Sequence, residues 1–156
     1  MPIATRKRVG ETMELLRLAA YEKRAPDPSA LLAAIPFCRH MGITAEVTNG
    51  ELMLLMPYSP ILIGNPVLPA LHGGAIGAFL ETASFAQVIW ELGGAKLPKP
   101  IDVTIDYLRT GRAVDSRARA KIAKRGRRVV NVHAELWQED ASKPVASLRG
   151  HFMLAS

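Results

Sequence analysis

Residues 65–90 read NPVLPALHGGAIGAFLETASFAQVIW. From Ala75 to Trp90 the residues are mostly good helix formers without proline, so this segment is predicted to be a helix. Apolar residues fall on nearly every side of it, which is typical of a helix inside a domain. Glu81 is the only charged residue in this helix. A carboxylate removed from water is costly unless something compensates it, so Glu81 is the first candidate functional residue.

The segments before this helix alternate between helical and extended patterns. We predict an N-terminal arm over residues 1–10, an amphipathic helix over 11–24, and a helix from about 29 to 39, capped by Asp27 or Ser29 and bent near Pro36. A hairpin is predicted over residues 43–56, because Asn49-Gly50 supplies the positive φ angles that a tight hairpin turn requires. The proline-containing segment 57–71 is predicted to be a loop.

After the helix, which should end at Gly93-Gly94, the pattern is that of antiparallel strands. We predict a linker over 96–100, a half-buried strand over 101–107, a hairpin of 117–124 with 129–138, and a last strand over 145–154. One sheet curled round one apolar helix satisfies this order, so the predicted class is α+β. A face of the helix with small residues is expected to meet something other than its own sheet; it comprises Gly74, Gly77, Glu81, Ser84 and Val88.

Length and composition favour one ordinary globular domain of 156 residues, with 49% hydrophobic and 22% charged residues. We assign residues 1–40 to the arm and covering helices and residues 41–156 to the main domain. The only cysteine is Cys38, which excludes an internal disulfide and a thiolate metal cluster and favours the cytoplasm. No apolar run is long enough to span a bilayer, and scattered histidines without ligand-like spacing argue against a metal site.

The net charge of +6 is concentrated near residues 6–8 and 117–128. Such an excess attracts polyanions, including phosphate-bearing cofactors, although a merely solvated face explains the second cluster equally well. Aromatic residues are not interleaved with these charges, as a nucleic-acid stacking platform would require, so no nucleic-acid partner is expected.

Several of these features together resemble the hotdog-fold acyl-CoA thioesterases of the phenylacetic-acid-degradation type, in the 4-hydroxybenzoyl-CoA thioesterase superfamily. They are the loop 65–71, His72-Gly73-Gly74, Glu81 nine residues after the histidine, and the strand IDVTIDYLRTG from Ile101. The resemblance covers residues 31–154. It implies a hotdog fold, hydrolysis of an acyl-CoA thioester to free acid and coenzyme A, no metal or redox cofactor, and a homodimer or homotetramer.

The same resemblance implies roles for single residues. Glu81 is the catalytic carboxylate, either general base or nucleophile; the Gly73 N–H holds the thioester oxygen; Asn65 helps to place water or substrate. His72 is a further catalytic candidate. Each has a structural alternative: Glu81 could pair with an arginine across an interface, His72 could brace the loop, Asn65 could cap it, and Gly73 could serve the turn alone.

Substrate contacts are predicted around this centre. Gly74 lies beside the expected oxyanion donor, Phe85 lies one turn beyond Glu81 and could wall the acyl pocket, and the coenzyme A phosphates would meet arginines at the rim. The candidate arginines are Arg109, Arg112, Arg127 and Arg128.

The spacing of Gly73 and Glu81 predicts the assembly. Eight positions along a helix correspond to about 12 Å, too far for both residues to touch one thioester carbon. If both are catalytic, they come from two subunits whose helices run antiparallel.

Two other functions remain open. The protein could sense acyl-CoA without cleaving it, or act as a hydratase on enoyl thioesters. No Asp is followed five positions later by His, a pairing associated with one such hydratase group, so hydratase activity ranks lower.

Overall fold

The computed structural model describes residues 27–93 and 97–154 and, before them, only Gly10 and Glu14, both helical. Apart from these two positions, the predicted arm over 1–10 and the predicted helix over 11–24 lie outside the described residues. The described elements are α1 (Pro28–Ala34), α2 (Pro36–His40), β1 (Thr44–Thr48), β2 (Glu51–Met56), a 3-10 turn (Pro60–Leu62), β3 (Ile63–Asn65), β4 (Ala70–Leu71), α3 (Gly73–Leu92), β5 (Pro98–Tyr107), β6 (Ser116–Arg125), β7 (Val129–Trp137) and β8 (Ala146–Leu154).

One six-stranded sheet forms the body of the domain. Its strand order is β1-β2-β6-β7-β8-β5, and all neighbouring strands are antiparallel. Helix α3 lies against it and contacts β2, β5, β6, β7 and β8. The predicted α+β arrangement, one sheet wrapped round one helix, is confirmed.

The core lies between α3 and the sheet. Phe79 and Leu80 of the helix are fully buried, and so are Val130, Leu136 and Phe152 on the inner face of the sheet. The alternation predicted for β7 is thus confirmed. Each such side chain contributes about 1.5–3 kcal/mol relative to an exposed position, which fixes the face that β7 and β8 turn inward.

The turn residues have the backbone conformations that the sequence predicts. Asn49 and Gly50 have φ angles of 53° and 75°, as the predicted hairpin turn requires. Gly93 ends α3 in the left-handed region, with φ 80°, which confirms the predicted stop.

The helices before the sheet are two short pieces. Asp27 caps α1 by accepting a hydrogen bond from the Ser29 N–H at 3.1 Å. Ile35 is extended (ψ 118°) because the following Pro36 disfavours the helical conformation at the preceding residue. The single bent helix predicted over 29–39 is therefore interrupted at Ile35. Leu32 and Cys38 of these helices belong to the same buried core as the sheet.

Two boundaries differ from the prediction. The segment 57–71 is not a simple loop, because β3 and β4 pair as a small antiparallel ribbon after the 3-10 turn. Strand β5 begins at Pro98, inside the predicted linker. Proline is tolerated there because β5 is an edge strand, where the missing N–H removes no bond from the sheet.

The open face of α3 differs from the predicted face of small residues. Gly77, Ser84 and Val88 are buried against their own chain. A Cβ at Gly77 would lie 2.8 Å from Ile105 Cδ1, so this glycine lets β5 approach the helix. The open face instead carries Gly74, Ala78, Glu81, Thr82 and Phe85.

Candidate active site

His72 organises the start of α3. Its backbone is extended (φ −64°, ψ 129°), and its Nδ1 accepts a hydrogen bond from the Gly74 N–H at 2.9 Å. Its own N–H donates to the Leu62 carbonyl at 2.7 Å, which ties the helix start to the 3-10 turn. The side chain of this catalytic candidate therefore caps α3, while its backbone N–H holds the turn. A direct catalytic role of His72 stays a prediction.

The Gly73 N–H is the unused donor of this turn. It makes no hydrogen bond to any residue within 27–93 or 97–154. The first N–H groups of a helix have no partner inside it, and they carry the positive end of the helix dipole. The group is therefore able to receive a developing oxyanion.

The absence of a side chain at Gly64 lets the β3–β4 ribbon pack against His72 at the start of α3. A Cβ at this position would lie 2.7 Å from the His72 Cα, a backbone atom that cannot move aside without shifting the helix start. The sequence offered no signal for this contact, because Gly64 and His72 meet only through the pairing of β3 with β4.

Glu81 lies about 12 Å beyond Gly73 along α3, on the open face of the helix. The side chain is half-buried, and it makes no hydrogen bond or ion pair with any residue that the structure describes. The carboxylate is therefore not held by a partner in its own described chain. Among the described residues, nothing competes with a ligand or a second subunit for this carboxylate.

A cavity of about 360 Å³ opens beside Glu81. Its lining is mainly apolar and comes from four separate parts of the fold: Ile35, Phe37, Ala78, Thr82, Phe85, Pro100 and Phe152. A concave, mostly apolar site with one convergent polar group is typical of a small-molecule pocket. Phe85 lines this cavity; that it walls an acyl pocket stays a prediction. The contributions of Ile35 and Phe37 were missed, because the break between α1 and α2 reaches α3 only in the folded chain.

Asn65 caps the turn that precedes β4. Its Oδ1 accepts hydrogen bonds from the N–H groups of Val67 at 3.0 Å and Leu68 at 3.4 Å. Its oxygen is thus used locally. Whether Asn65 also places water or substrate stays a prediction.

The four predicted arginines lie at opposite ends of the sheet. Arg109 donates to the Pro144 carbonyl at 2.6 Å, and Arg112 forms an ion pair with Glu139. Arg127 and Arg128, in the turn between β6 and β7, form no ion pair with a described residue. No residue in 27–93 or 97–154 therefore competes with an anion for the second pair.

The turn that contains Arg127 and Arg128 is connected to the cavity through the register of β7 and β8. Val130 pairs with Phe152, which lines the cavity, and Arg128 precedes Val130 by two residues, or about 7 Å of strand. The turn at Arg127 and Arg128 is thus close to the cavity that contains Glu81.

The described residues contain neither a metal-binding cluster nor a membrane-spanning helix. Within 27–93 and 97–154, no three His, Cys, Asp or Glu side chains are grouped closely enough to hold a metal ion. None of the helices described has both the length and the apolar character needed to cross a membrane.

A sheet wrapped round α3 defines a hotdog-fold domain. At the N-terminus of the helix lies an amide that bonds to no described residue, and a carboxylate lies on its open face. The sequence profile of the family described as acyl-CoA thioesterase N-terminal domain matches residues 65–153. The chain belongs to this family. The predicted hotdog fold and the predicted class, acyl-CoA thioesterase, are thereby confirmed.

The chain is also similar to individual proteins. The chain is 27% identical over 124 residues to the medium/long-chain acyl-CoA thioesterase YigI of Escherichia coli (strain K12), covering 68% of this chain and 77% of that protein. It is 36% identical to a protein of known structure from Chromobacterium violaceum (TM-score 0.68; 93% and 96% covered). It is 26% identical to a phenylacetic acid degradation-related protein of Ralstonia eutropha JMP134 (TM-score 0.70; 81% and 98% covered).

Proposed function

We propose that the protein hydrolyses acyl-CoA thioesters at a site shared by two subunits, with Glu81 of one chain and the Gly73 N–H of the other. The observation that carries the proposal is the position of Glu81, which opens without a partner in the described chain onto an apolar cavity. That cavity suits an acyl group, and the carboxylate suits the activation of water next to it.

The proposed reaction uses only water as co-reactant. Glu81 accepts a proton from water as the water oxygen attacks the thioester carbon, and the carbonyl oxygen takes up negative charge. The Gly73 N–H of the other subunit stabilises that charge, since a preorganised amide acts where charge develops in the transition state. Collapse of the intermediate breaks the C–S bond, and coenzyme A leaves as a thiolate that takes up the proton held by Glu81, which regenerates the carboxylate. Direct attack by Glu81 is the alternative pathway.

The surface of the single chain supports a dimer. Strand β5 has no partner on its outer side among the described strands, and its apolar residues Ile101 and Tyr107 are 55% and 54% exposed. An edge strand with exposed apolar residues is prone to pair with another chain. The open face of α3 lies on the same side as β5, because Pro100 of that strand lines the cavity. Antiparallel pairing there places Gly73 of each chain near Glu81 of the other, in a dimer or in a tetramer built from such dimers.

The coenzyme A end of the substrate is assigned to Arg127 and Arg128. They are exposed, unpaired within the described chain and close to the Glu81 cavity, and guanidinium groups bind phosphate in a bidentate manner. In the antiparallel dimer, Arg109 and Arg112 of the partner approach the same site together with its Gly73. A cytoplasmic location fits the single free thiol, Cys38.

The activity is tested by thiol release from a panel of acyl-CoAs, from acetyl through long-chain to phenylacetyl. We expect turnover to rise from acetyl to larger apolar acyl groups, because the lining at Phe37 and Phe85 is apolar. Burial raises the pKa of the Cys38 thiol to about 11, so the protein itself reacts slowly with the thiol reagent. Tight acyl-CoA binding without thiol release would instead identify a binding protein.

The shared site is tested by heterodimers of Glu81→Gln and Gly73→Pro chains, isolated by two different tags. If the sites are shared, one site per heterodimer has both changes and the other has neither. We therefore expect about half of the wild-type turnover per dimer, although each homodimer is nearly inactive. Absence of recovery in a purified heterodimer would place both residues of a site in one chain.

A further inference from the structure

The peptide group between Gly73 and Gly74 is held from both sides. Its N–H, which belongs to Gly74, donates to His72 Nδ1 at 2.9 Å. Its carbonyl, which belongs to Gly73, accepts a hydrogen bond from the Tyr107 hydroxyl at 2.7 Å. The N–H of Gly73, on the preceding peptide group, is left pointing to no acceptor among the described residues.

Tyr107 packs closely against two glycines of α3. A Cβ at Gly73 would lie 3.3 Å from the Tyr107 hydroxyl, and a Cβ at Gly77 would lie 3.5 Å from it and 2.8 Å from Ile105 Cδ1. The end of β5 therefore packs closely on the first turn of α3. The Tyr107 hydroxyl contacts the helix at Gly73, whose amide is the proposed oxyanion donor.

The restraint is needed because two consecutive glycines have wide conformational freedom. The direction of the Gly73 N–H is set on one side by its own peptide group, whose His72 carbonyl accepts hydrogen bonds from the Ala75 and Ile76 N–H groups at 3.0 and 3.2 Å. On the other side it depends on the Gly73 carbonyl, which Tyr107 holds. Small displacements of such a donor are costly, since an oxyanion donor acts only within hydrogen-bond distance of the developing charge.

We propose that Tyr107 is a positioning residue for the oxyanion hole: its hydroxyl fixes the Gly73 carbonyl and thereby the direction of the Gly73 N–H. Together with the hydrogen bonds of His72, it restrains the backbone on both sides of this amide. This inference rests on the proposed thioesterase function and deepens it. The edge position of Tyr107 also places this frame at the proposed dimer seam.

Tyr107→Phe tests the inference, because it removes the hydroxyl and keeps the ring. We expect kcat for the best acyl-CoA to fall about tenfold, the effect of one lost hydrogen bond, with KM nearly unchanged. Tyr58→Phe is the matched control. Tyr58 is 38% exposed, and its bond to Asp115 uses the backbone N–H, so kcat should stay at the wild-type value.

A purely structural role is distinguished by two measurements. The dimer fraction of Tyr107→Phe, from size-exclusion chromatography with light scattering, should equal that of the wild type. In the Gly73→Pro background, measured with enough enzyme to quantify the residual rate, Tyr107→Phe should have no further effect, because the amide that it positions is gone. Unchanged kcat in the single variant, loss of the dimer, or an equal loss in both backgrounds overturns the inference. Absence of thiol release by the wild type with every acyl-CoA overturns the proposed function itself.

Discussion

Glu81→Gln is expected to lower kcat for acyl-CoA hydrolysis by about 10²–10⁴-fold, the usual contribution of a general base. Glutamine keeps the size of the side chain and its hydrogen-bonding oxygen but cannot accept the proton from water. Since Glu81 makes no hydrogen bond or ion pair with a described residue, its replacement removes no bond within that part of the chain. The loss should therefore appear in kcat, measured by thiol release, with little change in the melting temperature.

Glu91→Gln is the matched control for this prediction. It makes the same substitution ten residues further along α3, at an exposed carboxylate that accepts a hydrogen bond from Gln87 Nε2 at 3.0 Å. We expect wild-type kcat for this variant. If Glu81→Gln retains wild-type kcat as well, Glu81 has no part in the proton transfer, and its position beside the cavity has another explanation.

The sequence predicted the elements better than their packing. Local signals specified the β1–β2 turn at Asn49, the alternation in β7 and the end of α3 at Gly93, because each depends on residues close together in the chain. The open face of α3 was misassigned. Which side of a helix faces its own sheet depends on strand order, and the approach of Ile105 to Gly77 has no counterpart in the helix sequence.

In the candidate site, too, local features were predicted and tertiary contacts were not. Glu81 stood out as a lone charge in an apolar helix, and Phe85 followed from helical spacing. The wall contributed by Phe37 and the hydrogen bond from Tyr107 to Gly73 depend on tertiary contacts between distant segments. Tyr107 was interpreted only as an apolar position of a half-buried strand, since nothing in the alternation of β5 indicates that its hydroxyl has a partner.

Gly73→Pro is expected to lower kcat by about 10²–10³-fold, the effect of removing one oxyanion donor. Gly73 is the first residue of α3, where proline is favoured because its missing N–H has no partner inside the helix. His72 already has the extended backbone that a residue before proline prefers, with φ −64° and ψ 129°. The substitution therefore removes the amide hydrogen while the helix start is retained, so the melting temperature should change little.

Gly73→Ala separates the loss of the donor from the added carbon. Alanine places a Cβ at the position 3.3 Å from the Tyr107 hydroxyl, where the proline Cβ also falls, but it keeps the N–H. We expect kcat of the alanine variant to stay within about threefold of the wild type. The proline ring also adds a carbon at the nitrogen, and exclusion of substrate by that carbon would raise KM, whereas loss of a transition-state contact lowers kcat at constant KM. An alanine variant as slow as the proline variant would mean that space at residue 73, rather than its amide, limits the reaction.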